Sequence, residues 1–109
     1  MGKPVAGDVV VLPFPQTNLR AGKRRPALLL VDLPGDDLIL CQITSRARGD
    51  SHSVAIESND FDQGQLAVQS FVRTNRLFTV EKSMILYTAA RLKGSKLEEI
   101  LTKTRQLFS

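Results

Sequence analysis

Three consecutive cations, Lys23-Arg24-Arg25, stop abruptly at Pro26, and five apolar residues follow. A short apolar run behind a basic, glycine-bearing loop reads as a buried strand. Pro26 has no N–H for a ladder, so it fits the first position of that strand. It also restrains the backbone of Arg25 before it. The guanidinium of Arg25 is therefore aimed from a strand mouth instead of hanging on a loose loop. A second polar group, Thr44-Ser45-Arg46, closes another apolar run. Planar guanidinium donors beside hydroxyls suit the binding of a phosphate or another oxyanion. The plain alternative for the cations is a solvated loop that keeps the protein soluble.

Other chemistries are thinly provided for. The chain has one histidine, His52, and one cysteine, Cys41. They exclude an internal disulfide, a histidine/cysteine metal site within one chain, and any Ser-His-Asp or Cys-His triad not built on His52. His52 sits between Ser51 and Ser53 in a polar loop and is a weak candidate for a general base. Asp36-Asp37 and Asp60/Asp62 read as turn residues, so no metal and no cofactor is expected. The net charge is +4, with nine arginines against six lysines and a pI near 9.6. That balance leans towards an anionic partner, either nucleic acid or an acidic protein segment.

The turn between these two polar groups fixes their relation. Asp32-Leu33-Pro34-Gly35-Asp36-Asp37 is the strongest turn signal in the chain. If it joins two antiparallel strands symmetrically, Leu33 faces Asp36, Val31 faces Leu38, Ala27 faces Gln42, and Arg25 faces Thr44. Directly opposed residues share a face, with Cβ atoms roughly 4.5–5.5 Å apart. A bulge would break this register. The same meander puts Arg20, Arg24, Arg25, Arg46 and Arg48 at one end of the sheet and Asp32, Asp36 and Asp37 at the other. A basic pole carrying an Arg–Thr pair fits an anion-binding site.

The elements that must position this pair are short strands. Residues 7–12 read as the first, ended by Pro13-Phe14-Pro15, and residues 16–23 as a polar loop. Residues 25–31, 38–44 and 53–56 follow as strands, with a basic loop at 45–51. Residues 57–64 read as an irregular connection. Residues 66–74 and 77–80 read as two strands with a turn near Asn75, and residues 85–92 fit either a strand or an extended arm. Ser95 and Glu98 have the spacing of a capping box. Leu97, Ile100, Leu101, Thr104, Leu107 and Phe108 then recur with helical spacing. Phe14, Phe61, Phe71, Phe78 and Phe108 are expected in the core more than as base-stacking platforms. The fold class expected is mainly β with a C-terminal helix: a small, curled antiparallel barrel formed by residues 1–109 as one domain. No apolar run approaches the roughly 18 residues of a membrane span, and a lone buried cysteine fits a cytoplasmic location.

The ordered set Gly7-Asp8-Val9-Val10, Lys23-Arg24-Arg25-Pro26-Ala27-Leu28-Leu29-Leu30 and Ile43-Thr44-Ser45 resembles the pattern of the MazF/PemK family of toxin endoribonucleases. Gln69-Ser70-Phe71-Val72-Arg73, Thr79-Val80-Glu81-Lys82 and the helix after Arg91-Leu92 extend the resemblance over almost the whole chain. Ala89-Ala90-Arg91-Leu92 departs from the family's frequent Ile-Gly-Arg-Leu, which bears on packing near the helix and not on the site. The resemblance implies an SH3-like barrel, a homodimer, and metal-independent cleavage of single-stranded RNA. It also implies a cognate antitoxin with an acidic or disordered segment, and DNA binding in company with that antitoxin.

Carried onto this chain, the family's catalytic pair falls on Arg25 and Thr44, the two residues the turn register opposes. Arg24, Ser45, Arg46, Ser70 and Arg73 become RNA-binding candidates. Arginine stays protonated in proteins, so the role that suits Arg25 is stabilising charge on the phosphate, with Thr44 donating a hydrogen bond. Two other readings compete. A similar barrel is used by CcdB-type toxins, which bind DNA gyrase without catalysis, and an SH3-like module could serve interaction alone.

Overall fold

The computed structural model describes residues 3–14, 23–46, 49 and 51–109. Seven strands form one antiparallel sheet: β1 (Asp8–Phe14), β2 (Lys23–Asp32), β3 (Asp37–Thr44), β4 (Ser53–Ile56), β5 (Phe61–Gly64), β6 (Ser70–Glu81) and β7 (Tyr87–Leu92). Their spatial order is β4-β6-β3-β2-β1-β7-β5, and a C-terminal helix, α1 (Gly94–Gln106), follows. The sheet curls into a half-barrel, as the fold class required. Among the described residues no helix is long and apolar enough to cross a membrane.

Strand alternation explains why four consecutive residues, Ala27 to Leu30, are all buried: both faces of the central strands are covered. One face carries Val9, Leu28, Leu30, Cys41, Ile43 and Val72, closed by Ile100, Leu97 and Leu101 of α1. The other carries Val10, Leu12, Ala27, Leu29, Leu38 and Leu40, flanked by Phe14, Phe78, Val80 and Ile85. Burial pushes the Cys41 thiol up to about 12, so it stays a protonated, unreactive core group. Asp8, 1 % exposed, braces the sheet. It accepts from Arg91 Nε of β7 at 2.7 Å and from the Val5 N–H at 2.9 Å, and that hydrogen bond with its charge pushes the Arg91 guanidinium up.

Several boundaries differ from the sequence reading. Both prolines lie inside strands: Pro13 pairs with Arg24, and Pro26 is the fourth residue of β2, opposite Val11. Each sits where its strand has a neighbour on one side only, because β7 pairs with β1 only as far as Val11 and the β2–β3 ladder begins at Ala27. Such edges tolerate a missing N–H. The two strands expected across Asn75 are one, β6, with a bulge at 74–76 pinned by Thr74, whose N–H and hydroxyl both donate to the His52 carbonyl at 3.2 and 2.7 Å. Residues 57–64 hold a 3₁₀ turn at Ser58–Asp60 and strand β5, and residues 85–92 contain β7.

The Ser95–Glu98 capping box is not formed. Lys93 occupies the cap with no side-chain hydrogen bond, and its carbonyl takes the Lys96 and Leu97 N–H groups at 3.0 Å. The start of α1 is set by docking on the 3₁₀ turn: the Lys93 N–H reaches the Asp60 carbonyl at 2.9 Å, and Lys96 Nζ lies 3.8 Å from Asp60 Oδ2. The helical stripe stops at Thr104. Leu107 lies beyond the last helical residue, and Phe108 is 78 % exposed instead of buried.

Candidate functional site

Arg25 and Thr44 reach one groove from adjacent strands. The β2–β3 ladder pairs Ala27 with Gln42, Leu28 with Cys41 and Leu29 with Leu40, and it stops there; Arg25 and Thr44 lie two residues beyond its last pair, on strand ends that border the same groove. Nearer the turn, Val31 pairs with Ile39 and Asp32 with Leu38, a shift of one residue taken up by a bulge at Leu30. The turn is asymmetric, with Leu33 N–H donating to the Asp37 carbonyl at 3.1 Å. The bulge restores at the site the register that the turn itself does not have.

The groove is open, about 730 Å³, and its walls include Phe14, Arg24, Arg25, Gln42, Thr44, Ser45, Arg46 and Ser70. It is the polar continuation of the second apolar face. Leu38, Leu40, Gln42 and Thr44 alternate along β3, and Leu29, Ala27 and Arg25 run beside them on β2. A buried row thus carries two polar groups out to the surface on rigid strands.

Each donor has a defined setting. Arg25 is exposed and lies opposite Leu12, while Arg24 lies opposite Pro13. Thr44 is half-buried, and its Oγ1 accepts the Arg46 N–H at 3.1 Å. That bond fixes the hydroxyl and leaves its own O–H to donate into the groove. Ser45 and Arg46 are exposed at the rim. Ser70 is buried and donates its hydroxyl to the Val68 carbonyl at 3.0 Å, so towards the groove it offers acceptor lone pairs. Arg73 pairs with Gln42 across β6–β3 and with Ser53 across β4–β6, and it is not among the groove's lining residues. His52 is not among them either. Of the loop expected at 16–23, Lys23 instead opens β2, and residues 16–22, with Arg20, lie outside the described residues, as does Arg48. Gln42, whose place opposite Ala27 was legible, is a lining residue that the sequence did not mark as functional.

Over residues 6–108 the chain matches the family described as PemK-like, MazF-like toxin of type II toxin–antitoxin system. A MazE–MazF structure from Deinococcus radiodurans is 28 % identical, with a TM-score of 0.78 and coverage of 99 % of this chain and 97 % of that one. An endoribonuclease from a mycobacterial species shares the fold at 15 % identity, with a TM-score of 0.74 and coverage of 99 % and 93 %. A mycobacterial endoribonuclease in complex with its cognate antitoxin does so at 16 % identity and a TM-score of 0.73, with coverage of 96 % and 94 %. No curated protein matches the chain. With its curled sheet, terminal helix and family match along nearly its full length, this chain belongs to the PemK/MazF family of toxins of type II toxin–antitoxin systems.

Proposed function

We propose that this toxin is an endoribonuclease that cleaves single-stranded RNA without a metal, leaving 2′,3′-cyclic phosphate and 5′-hydroxyl ends. RNA carries its own nucleophile. The 2′-hydroxyl loses its proton and bonds to the adjacent phosphorus, and the P–O5′ bond breaks as the leaving oxygen takes up a proton. The protein needs to hold the reacting atoms in line and stabilise the extra charge on the non-bridging oxygens. Arg25 supplies that stabilisation, and Thr44 donates its O–H to a phosphate or leaving oxygen. Arg24, Ser45 and Arg46 contact neighbouring phosphates. Ser70 accepts from the substrate, and Arg73 adds positive charge from across the ladder.

The observation that carries this reading is the convergence of Arg25 and the Arg46-braced Thr44 hydroxyl on one groove with two further arginines. The family match over residues 6–108 supports the toxin reading, and the MazE–MazF structure from Deinococcus radiodurans supports a similar antitoxin partner here. An acidic or disordered segment of that partner would cover the basic groove. We place the working form in the cytoplasm as a homodimer.

The test is cleavage of a long single-stranded RNA by purified protein in excess EDTA. Discrete products with 5′-hydroxyl ends, abolished by a 2′-deoxy substitution at the cut, are expected. RNA left intact over a range of sequences and protein concentrations overturns the reading and makes gyrase inhibition the next assay.

A further inference from the structure

The groove is lined by a residue whose acceptor finds no partner among the described residues. Gln42 Oε1 is buried, and among the described residues it has no hydrogen-bond partner. Its neighbours on the same face of β3 are Leu38 and Leu40 on one side and Thr44 on the other. An aliphatic residue would continue the apolar row without burying an unpaired acceptor. Glutamine instead interrupts it one pleat short of the proposed reaction centre, and a buried acceptor without a donor is unfavourable.

The surroundings show what the amide could meet. Gln42 and Phe14 line both the groove and an adjoining hollow of about 540 Å³, which is completed by Asn75, Arg76, Leu77 and Phe78. The β6 bulge opens that hollow. Leu77 is paired with Cys41 and Arg73 with Gln42, so residues 74–76 leave the ladder between them. Phe14 and Phe78 meet edge to face, with ring centroids 5.2 Å apart at 74°. An apolar wall, an amide at its foot and a phosphate-binding groove alongside form a nucleotide subsite in miniature. Single-stranded RNA is read this way, with a base laid on aromatic rings and hydrogen-bonded along its edge.

We propose that Gln42 selects the base next to the cut, taking one that presents an exocyclic amine beside a ring-nitrogen acceptor, adenine or cytosine. The amine donates to Oε1, and the adjoining ring nitrogen accepts from Nε2, a pairing that the amide's donor and acceptor complete together. Three rotatable bonds let the amide swing into the groove it lines, and doing so gives Oε1 its missing donor. The assignment rests on the ribonuclease reading. It adds which side chain sets sequence preference, where Arg25 and Thr44 act on a phosphate common to every nucleotide.

The test uses single-stranded RNA with a randomised window, sequencing the 5′-hydroxyl ends produced by the wild type, Gln42→Met and Gln42→Glu. The wild type is expected to favour adenine or cytosine over guanine and uracil at one position flanking the cut by on the order of tenfold. Gln42→Met keeps the side chain's length without its polar atoms. It should cut with the preference at that position flattened, and melt no lower than the wild type because the unpaired acceptor is gone. Gln42→Glu keeps only acceptors and should move the preference to guanine, which presents two adjacent N–H donors. An unchanged profile in both variants, no preference for adenine or cytosine in the wild type, or a melting point lowered in Gln42→Met with the profile intact overturns the assignment while leaving the ribonuclease standing. Binding of non-cleavable RNA carrying a 2′-deoxynucleotide at the cut, with each base in turn at that position, reads the same preference without catalysis. RNA neither cut nor bound brings down both proposals together.

Discussion

At its closed end the β2–β3 hairpin has its Asp32 carboxylate paired with a lysine from beyond β6, whereas at its open end the arginines have no such counter-charge among the described residues. Around Pro34-Gly35, Lys82 Nζ lies 3.2 Å from Asp32 Oδ1 and donates to the Gly35 carbonyl at 3.2 Å, while its N–H donates to the Asp36 carbonyl at 2.7 Å. At the other end Arg24, Arg25 and Arg46 face one groove, and among the described residues no carboxylate lies within ion-pair distance of them. Like charges held together without counter-charges oppose folding. One end has spent its polar groups on structure, and the other keeps them available for a ligand. The two ends should therefore respond to substitution in opposite ways.

The largest effect is expected at the open end, on activity. Arg25→Ala and Thr44→Ala should each lower RNA cleavage by roughly 10²–10³-fold, the scale of removing one preorganised donor. Because Arg25 is exposed and makes no ion pair among the described residues, its loss should leave the denaturant midpoint unchanged or slightly raised. Cleavage rates beside urea melts check both halves. A stability loss matching the activity loss would mean that the open end is structural after all.

Between the two ends lies the row that carries the site. Leu40 is fully buried, with Gln42 the next residue on its face. Leu40→Ala should cost about 3 kcal/mol by the transfer and cavity terms for a buried leucine. Equilibrium urea unfolding measures it. Cleavage at a temperature where the variant is still folded should change far less than in Arg25→Ala, since the strand ends stay paired.

The register beside the groove was more legible in the sequence than the register at the turn that led to it. Symmetric pairing across Pro34-Gly35 put Ala27 opposite Gln42, and the sheet has that pair. Yet next to the turn the pairing is offset by one residue, and the bulge at Leu30 compensates. Bulges leave no mark in an apolar run such as Leu28-Leu29-Leu30, because both faces are buried and alternation carries no signal. Strand β5 was missed for a different reason. Phe61-Asp62-Gln63-Gly64 is short and mostly exposed, and it pairs because Gly64 lets the chain come close: a Cβ there would meet the Ala89 carbonyl at 2.5 Å. The start of α1 was misread because a tertiary contact with Asp60 outweighed the local capping signal. Pro13 and Pro26 were misplaced because the tolerance of a strand for proline depends on its neighbours, which only the assembled sheet defines.

Cys41 reports on the hairpin as a whole. Its thiol lies on the core face between the two ends, and burial raises its pKa from 9.0 to about 12. A raised folded-state pKa gives stability that is complete below pH 9.0 and is lost as pH climbs towards about 12, because only the unfolded chain gives up the proton there. The slope from this one group is at most about 1.4 kcal/mol per pH unit. Comparing the wild type with Cys41→Ala in urea melts from pH 8 upwards should show the extra alkaline decline in the wild type alone. Parallel pH profiles would mean that the thiol is hydrated in the folded state.

The smallest effect is expected at the closed end. Gly35 has a φ of +89° with open space around the position of a Cβ. Gly35→Ala therefore meets backbone strain without a clash, a cost on the order of 1 kcal/mol. Removing the Lys82 side chain with Lys82→Ala costs less than about 1 kcal/mol, because its partner Asp32 is 41 % exposed and water screens the pair. Neither change touches the groove, so cleavage by both variants should equal the wild type once the folded fraction is matched. That outcome is informative because Leu30, the bulge that restores the site's register, lies between the turn and the groove. Strain placed at Gly35 can relax at the bulge before it reaches Ala27 and Gln42, so the turn can vary while the Ala27–Gln42 pairing beside the groove holds. A cleavage rate that falls in Gly35→Ala, with the stability cost still near 1 kcal/mol, would show the hairpin transmitting the turn's geometry to the site, and the bulge would lose its role as the place where the two registers are reconciled.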